Sequence, residues 1–360
     1  MSEGLAPGLY FGLPADDYHA DPALSSSGVR DLLISPLTFY CNHLADTGED
    51  PDTKATATGT AFHARIVEGR DVFQARYALP LEKDDHPDAL DGAADLKARC
   101  KELGLPVGGN IAALCERIAT ADPRAELWPL MVAEHRARHA GKTFIKPDAW
   151  MEIEFAAGIV ERHPTAAKAF AGGFPEVSMV WLDEETGVPM RSRPDYLKVG
   201  FLVDLKTFSN PFGMPVANCV ARAVASNRYH TRAAMYLDGV ERVKALIRKQ
   251  GRDAVHIVSG EGPTDEWLDA FAEAPQHSFA FVFIEQGRVP NILIREFARH
   301  AQGAQNGATP NAYFSAAWQE YRAAVQTFVD YRAHFGDGPW LDPSPMIPFV
   351  DADFPVWMAG

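Results

Sequence analysis

Residues 191–207 read R-S-R-P-D-Y-L-K-V-G-F-L-V-D-L-K-T, and this stretch decides how the chain is understood. Asp195 follows Pro194, and a short apolar run further on carries Asp204 and Lys206. Residues 199–208 are rich in Val, Leu and Phe, with Gly200 suited to a turn, so the spacing predicts a hairpin arm. Residues i and i+2 of a strand share a face, so Asp204 and Lys206 point together while Val203 and Leu205 point the other way. The second face suits a core. The first carries an acid and an amine, which a packed core does not favour.

The spacing P-D … D-x-K resembles the signature of the PD-(D/E)XK nucleases, here with Asp in the second acidic slot. The chemistry behind the pattern is a hard divalent cation held by carboxylate oxygens, which for Mg²⁺ keeps several waters of its own. Such a cation polarises a phosphoryl oxygen and acidifies a bound water, and a nearby lysine can orient that water or stabilise developing charge. A surface salt bridge on a hairpin is the alternative reading of the same residues.

Composition sets the bounds. At 360 residues the chain has room for one large or two modest domains, and 47% hydrophobic with 23% charged residues describes an ordinary globular protein. No run of about 18 apolar residues is present, which predicts no transmembrane helix. The start, M-S-E-G, lacks the basic and apolar regions of a signal peptide, so the cytoplasm is the expected compartment. Cys41, Cys100, Cys115 and Cys219 are scattered without C-x-x-C spacing, and are expected to be reduced thiols outside any disulfide or zinc site. The net charge of −14 runs against the basic footprint of a DNA-binding domain. Around the proposed site, however, stand Arg191, Arg193, Lys198, Lys206, Arg222, Arg228 and Arg232. A locally positive groove on an acidic body suffices, because only phosphates near the cations count.

Along the chain, Ser25, Ser26 and Ser27 precede V-R-D-L-L-I, which predicts a serine-capped helix ending near Ser35-Pro36. Hydroxyls at a helix start either cap it or hold an anion, and Ser27 is the candidate contact to a terminal phosphate. Residues 56–69 predict a helix closed by Gly69, with Ala61, Phe62, Ile66 and Val67 buried and His63 and Glu68 as polar exceptions. Residues 82–95 are a polar, acidic loop. Residues 96–103 and 110–118 then read as two helices around a G-L-P-V break. This resembles the SAP-type helix–extended–helix DNA-binding module, but Gly109-Asn110-Ile111 lacks the lysine of that module's turn. Helices are expected at 124–139 and 150–163. Three strands at 176–183, 190–197 and 201–207 are expected to form one antiparallel meander, with Asp195 and Asp204 in its middle and last strands. Residues 216–249 read as one long helix, whose Arg228, Arg232 and Tyr236 recur every four residues and share a face. That face is either solvated or turned to a phosphate groove. A polar insertion is expected at 252–277, a strand pair at 278–286 and 291–298, a last helix at 313–334, and a Pro-rich tail with Trp340 and Trp357.

Taken together, Y-H-A-D-P-A-L-S-S-S-G (18–28), G-T-A-F-H-A-R-I-V-E (59–68), R-P-D (193–195), V-D-L-K-T (203–207) and R-Y-H-T-R-A-A-M-Y-L-D-G (228–239) resemble the phage and prophage exodeoxyribonucleases of the exonuclease VIII (RecE) type. The resemblance implies an α/β restriction-endonuclease-like core, a mixed sheet flanked by helices. Residues 1–81 and 124–335 would form that core, with a small helical insert at 82–123 and a tail at 336–360. It implies metal ligation by His63, Asp195, Asp204 and the backbone carbonyl of Leu205, with Mg²⁺ or Mn²⁺ as cofactor. Lys206 would be the catalytic lysine, acting with Asp195 and Asp204. Tyr236 matches the tyrosine of the family's Gln-x-x-x-Tyr helix, whose glutamine slot holds Arg232 here; Arg can still contact phosphate, bidentately. Arg193, Arg228, Arg232 and Ser27 would contact DNA, and Glu68 stands beside the site without an assigned role. The implied activity is degradation of linear double-stranded DNA from 5′ ends, by a homo-oligomer paired with a single-strand annealing recombinase. The alternatives are a related nuclease acting on another DNA structure, and a DNA-binding scaffold that cleaves nothing.

Overall fold

The computed structural model describes residues 4–45, 54–300 and 311–341, together with Pro348 and Val350. Trp357 and most of the expected C-terminal tail lie outside the described residues. Among the described residues the strands are β1 (Gly8–Phe11), β2 (Tyr77–Ala78), β3 (Thr143–Phe144), β4 (Gly173–Pro175), β5 (Ser178–Leu182), β6 (Pro189–Ser192), β7 (Tyr196–Lys198), β8 (Phe201–Phe208), β9 (Val255–Ile257), β10 (Ser278–Glu285) and β11 (Ile292–Phe297). They form a four-stranded sheet in the order β6-β5-β1-β9, a five-stranded sheet in the order β11-β10-β8-β7-β4, and the small pair β2-β3. Both larger sheets mix parallel and antiparallel pairs and are flanked by helices, the expected α/β class.

The hairpin arm forms as expected, with Gly200 at φ +82° in the turn and Tyr196 paired to Val203. β8 runs parallel to β10, Asp204 opposite Phe281 and Lys206 opposite Phe283. Its alternation divides two cores. Val203 and Leu205 pack with Val282, Ile284, Phe62 and Ile153, beneath the helices Lys54–His63 and Pro147–Arg162. Leu202 and Phe208 pack with Phe279, Phe281 and Phe283 in the larger core, which the Tyr229–Gln250 helix also enters. Asp204 and Lys206 share the face of Leu202 and Phe208, so two polar groups sit on a face that is otherwise core.

The three-stranded meander does not form as one sheet. β5 pairs with β6 in the four-stranded sheet, and the chain crosses at Arg193-Pro194-Asp195 into β7 of the other. Pro194 has no N–H to continue a ladder, which suits a crossing point. Asp195 therefore stands at the corner before β7 rather than within a strand. The long helix expected at 216–249 is two, Val216–Ser226 and Tyr229–Gln250, broken at Arg228 with φ +50°. Helical periodicity is continuous across the break, but an isolated left-handed residue ends an α-helix.

The short helix after Ser25 spans Ser26–Leu32, and a second helix, Pro36–His43, follows it with Ser35 as N-cap. Pro36 thus opens a helix as well as closing the approach to it, its missing N–H being no loss at the first position. Residues 252–277 are not merely a polar insertion. β9 lies parallel to β1, and the Asp265–Glu273 helix buries Leu268, Phe271 and Ala272. Residues within 82–123 fold as helix Gly92–Glu102, an extended link, and helix Ile111–Ala121 capped by Asn110. Together with Leu127 they close a small core of their own around Leu96, Cys100, Leu114, Cys115 and Ile118. The four cysteines, all among the described residues, form no disulfide. Trp340, at the end of the described chain, is fully buried and stacks on Phe39 with ring centroids 5.0 Å apart. No helix among the described residues is long and apolar enough to cross a membrane.

Candidate active site

Five elements bring the site together. The Lys54–His63 helix carries His63 at its end and passes directly into a π-helical turn, Ala64–Glu68. In an α-helix, residues five apart lie about 140° apart around the axis. A π turn, bonded i→i+5, brings them onto one side. His63 Nδ1 consequently lies 3.7 Å from Glu68, whose carboxylate is held by both outer nitrogens of Arg76 at 2.6 and 2.7 Å.

Glu176 enters from the turn between β4 and β5, in a left-handed conformation at φ +54° that non-glycine residues seldom adopt. Its N–H donates to the backbone oxygen of Asp195 at 3.0 Å, which sets the two acids side by side across the sheet crossing. His63 Nε2 lies 3.1 Å from Glu176 Oε1 and 3.3 Å from Asp195 Oδ1. One ligand atom from each of the three falls within 4.8 Å of the others. Glu176 is the member of this group that the sequence does not single out. The available signal was an acid at the mouth of a strand, which is common on its own. Only the fold pairs it with Asp195.

Asp195 Oδ2 accepts the Leu205 N–H at 2.5 Å, so β8 fixes its orientation. Asp204 is 1% exposed, and no backbone N–H or hydroxyl donates to either of its carboxylate oxygens. It faces the Lys206 ammonium, in direct contact, and the Arg232 guanidinium at 3.9 Å. Lys206 also donates to the Leu205 carbonyl at 3.2 Å, the backbone oxygen expected at the metal.

Electrostatics follow this packing. Burial pushes the Asp204 carboxyl up, and the Asp195 charge adds to it, against the pull of Lys206 and Arg232. Asp195 is also penalised by burial, but Lys206, His63 and the Leu205 N–H together hold it below the usual carboxylate range. Burial alone would lower the His63 imidazole; Asp195, Glu176 and Glu68 outweigh it and hold His63 well above its ordinary value. Burial likewise opposes the charge on Lys206, yet Asp204 and Asp195 keep its ammonium strongly protonated.

These groups border a cavity of about 760 Å³ whose wall includes His63, Glu176, Asp195, Lys206, Tyr229 and Arg232. Tyr229 was not anticipated: its ring centroid lies 5.5 Å from Lys206 Nζ and 5.9 Å from the Arg232 guanidinium. Asp204 lies behind this wall, in contact with Lys206.

Several expected contacts fall elsewhere. Tyr236 is 4% exposed and does not reach the cavity; its hydroxyl sits 3.3 Å from Ser26 Oγ. Ser27 bonds Ser25 Oγ at 2.8 Å, so the serine facing the Tyr229–Gln250 helix is Ser26. Arg228 pairs with Glu320 at 3.1 Å, and the stripe it was expected to share with Arg232 and Tyr236 is broken by its left-handed backbone. Arg193 is directed inward: it donates to Ser178 Oγ at 2.7 Å and to the Leu13 carbonyl at 3.0 Å, and it lies 3.7 Å from Glu176 Oε2. Its guanidinium and that of Arg191 cover the Tyr18 ring at 4.2 and 4.6 Å. The motif at 18–28 and the arginines before Asp195 thus hold each other, and Arg193 positions Glu176.

No protein-family model matches the chain, and no curated protein does. Among solved structures, a putative exonuclease from Eubacterium rectale aligns at 13% identity with a TM-score of 0.46, covering 91% of this chain and 88% of that one. The protein SSO0001 aligns at 12% identity with a TM-score of 0.22, over 64% of this chain and 83% of its own. Both likenesses are distant.

Proposed function

We propose that this chain is a metal-dependent nuclease that hydrolyses the phosphodiester backbone of linear double-stranded DNA from its ends. The observation that carries the reading is the convergence of His63, Glu176 and Asp195 on one side of a cavity whose wall also presents Lys206 and Arg232. The donors suit a divalent cation. Ligand atoms 3.1 and 3.3 Å apart match neighbouring positions around an ion with bonds of about 2.1 Å. An imidazole beside two carboxylates favours Mn²⁺ over Mg²⁺. Bound there, the cation would polarise a phosphoryl oxygen and acidify a water.

The chain's own residues supply the rest. Asp204 keeps Lys206 charged and fixed, so that its ammonium meets negative charge developing on the phosphoryl group without reorganising. Arg232 presents planar donors to the same cavity, suited to two phosphate oxygens. Tyr229 flanks both cations and limits the water around them. Attack from 5′ ends, a ring-like homo-oligomer and an annealing partner rest on the motif resemblance.

End-labelled linear duplex and closed circular DNA, each incubated with Mn²⁺ or Mg²⁺, test the proposal. Nucleotides should be released from the linear form only, the 5′ label first, and Asp204→Ala or Lys206→Ala should stop release while the fold persists by circular dichroism. Cutting of the circle would indicate an endonuclease. Binding without cleavage under either metal would leave the scaffold reading.

A further inference from the structure

Residues 135–147 read H-R-A-R-H-A-G-K-T-F-I-K-P, with Arg136, Arg138, Lys142 and Lys146, two histidines and no acid. This is unusual in a chain with 48 Asp and Glu against 34 Lys and Arg. The segment is built into the molecule. β3 pairs in parallel with β2, the Ile145 N–H donates to the Ala78 carbonyl at 3.0 Å, and Lys142 Nζ donates to the Gln74 carbonyl at 2.6 Å. The His135 ring bonds the Leu79 carbonyl at 2.8 Å. Arg136, Arg138 and Lys146 are exposed, and among the described residues none of the three pairs with a carboxylate. His139 is lowered by desolvation and then by the charges of His135, Lys142 and Arg138, as expected where positive charge accumulates.

The space beside this segment adjoins the cavity of the candidate active site. Thr60 borders both the active-site cavity and a neighbour of about 420 Å³ lined by Tyr77, Phe144 and Lys146. Phe144 in turn borders a third cavity, about 350 Å³, lined by Trp128, His135 and Arg136. The Lys83 ammonium lies 5.6 Å from the Trp128 ring centroid. The three cavities therefore share walls in turn from His63 to Arg136, with the half-buried rings of Phe144 and Trp128 and the cations Lys146, Lys83 and Arg136 beside them.

We propose that this line of cavities is a groove for a single DNA strand running from the candidate active site toward Arg136, an inference that rests on the nuclease reading. Rings that accept base stacking, alternating with cations that track a backbone, are the chemistry of sequence-tolerant single-strand binding. Cations without a protein counter-charge release counterions when phosphate replaces them, which makes such binding steeply salt-dependent.

The test measures fluorescence anisotropy of a labelled oligothymidylate of about 20 nucleotides, without divalent metal, across a salt series. The Arg136→Glu/Arg138→Glu/Lys146→Glu variant should bind at least about tenfold more weakly than wild type, and its log–log salt slope should be shallower by about 2. The Gln versions of the same three positions should fall between, which separates lost attraction from added repulsion and guards against misfolding of the Glu variant. Unchanged affinity and slope in both variants would overturn the groove. An equal loss on a blunt duplex of the same length would overturn the single-strand assignment. Wild-type hydrolysis of bis(p-nitrophenyl) phosphate with Mn²⁺ checks the nuclease reading separately, since that substrate is too small to use the groove. Hydrolysis without oligothymidylate binding would overturn the groove alone.

Discussion

Two buried aspartates, Asp183 and Asp204, stand at 2% and 1% exposure and are treated by the fold in opposite ways. Asp183, just past β5, accepts the Thr186 N–H at 3.0 Å and its hydroxyl at 2.6 Å, and is gripped by both outer nitrogens of Arg322. Burial opposes its charge, but these partners hold it below the usual carboxylate range. Asp204 is held by Lys206 and faces Arg232 but has no backbone or hydroxyl donor, and burial together with Asp195 pushes it up. A buried carboxylate with its lone pairs satisfied serves stability, whereas one left short of donors is unfavourable in isolation and suits a site that a ligand completes.

The largest expected effect breaks that comparison at Asp204. Asp204→Asn should lower DNA hydrolysis by at least about 10³-fold, because Lys206 loses the charge that fixes it. The urea midpoint should shift less than in the Asp183 variant below, because relief of a buried, upward-shifted carboxyl offsets the partner that Lys206 loses. Loss of activity through unfolding instead would erase the distinction between the two acids.

Asp183→Ala should do the reverse. Stability should fall by about 3 kcal/mol, because Arg322 loses its carboxylate, while activity per folded molecule is retained. The effect should also depend on pH. A carboxyl depressed in the fold contributes its full stability above the ordinary value of 3.8 and loses it as pH falls through the lower folded value. The difference in urea midpoint between wild type and variant should therefore be constant near neutrality and shrink in strong acid. A difference that grows on acidification would contradict the assignment.

The smallest expected effect concerns the helix that carries Arg232. A Cβ at Gly239 would stand 2.7 Å from the buried Trp181 ring, so this glycine lets the helix lie close against β5. Gly239→Ala should cost about 1–3 kcal/mol in urea denaturation, with the helix displaced and the KM for DNA raised. Full stability in this variant would mean that the helix is not seated as tightly as that contact requires.

The sequence made local pattern legible. The period-two alternation of Val203, Asp204, Leu205 and Lys206 announced which side chains share a face, and Gly200 announced the turn. Apolar spacing likewise located His63 on a helix. What the sequence concealed was long-range or a matter of backbone conformation. Glu176 meets Asp195 only because the chain changes sheets at Pro194. Tyr229 reaches the cavity because Arg228 breaks a helix whose apolar periodicity runs on unbroken. Glu68 comes round to His63 through a π turn that no spacing rule reveals. Arg193, expected to contact DNA, is directed inward by partners at Leu13, Tyr18 and Ser178 that are remote in sequence.

The most direct test of the account is calorimetric titration of Mn²⁺ into the wild-type protein and into Glu176→Gln and Asp195→Asn variants shown to be folded. Specific Mn²⁺ binding by the wild type, weakened at least about tenfold in each variant, is the predicted result. Wild-type affinity in both variants would contradict the convergence of His63, Glu176 and Asp195 on one cation.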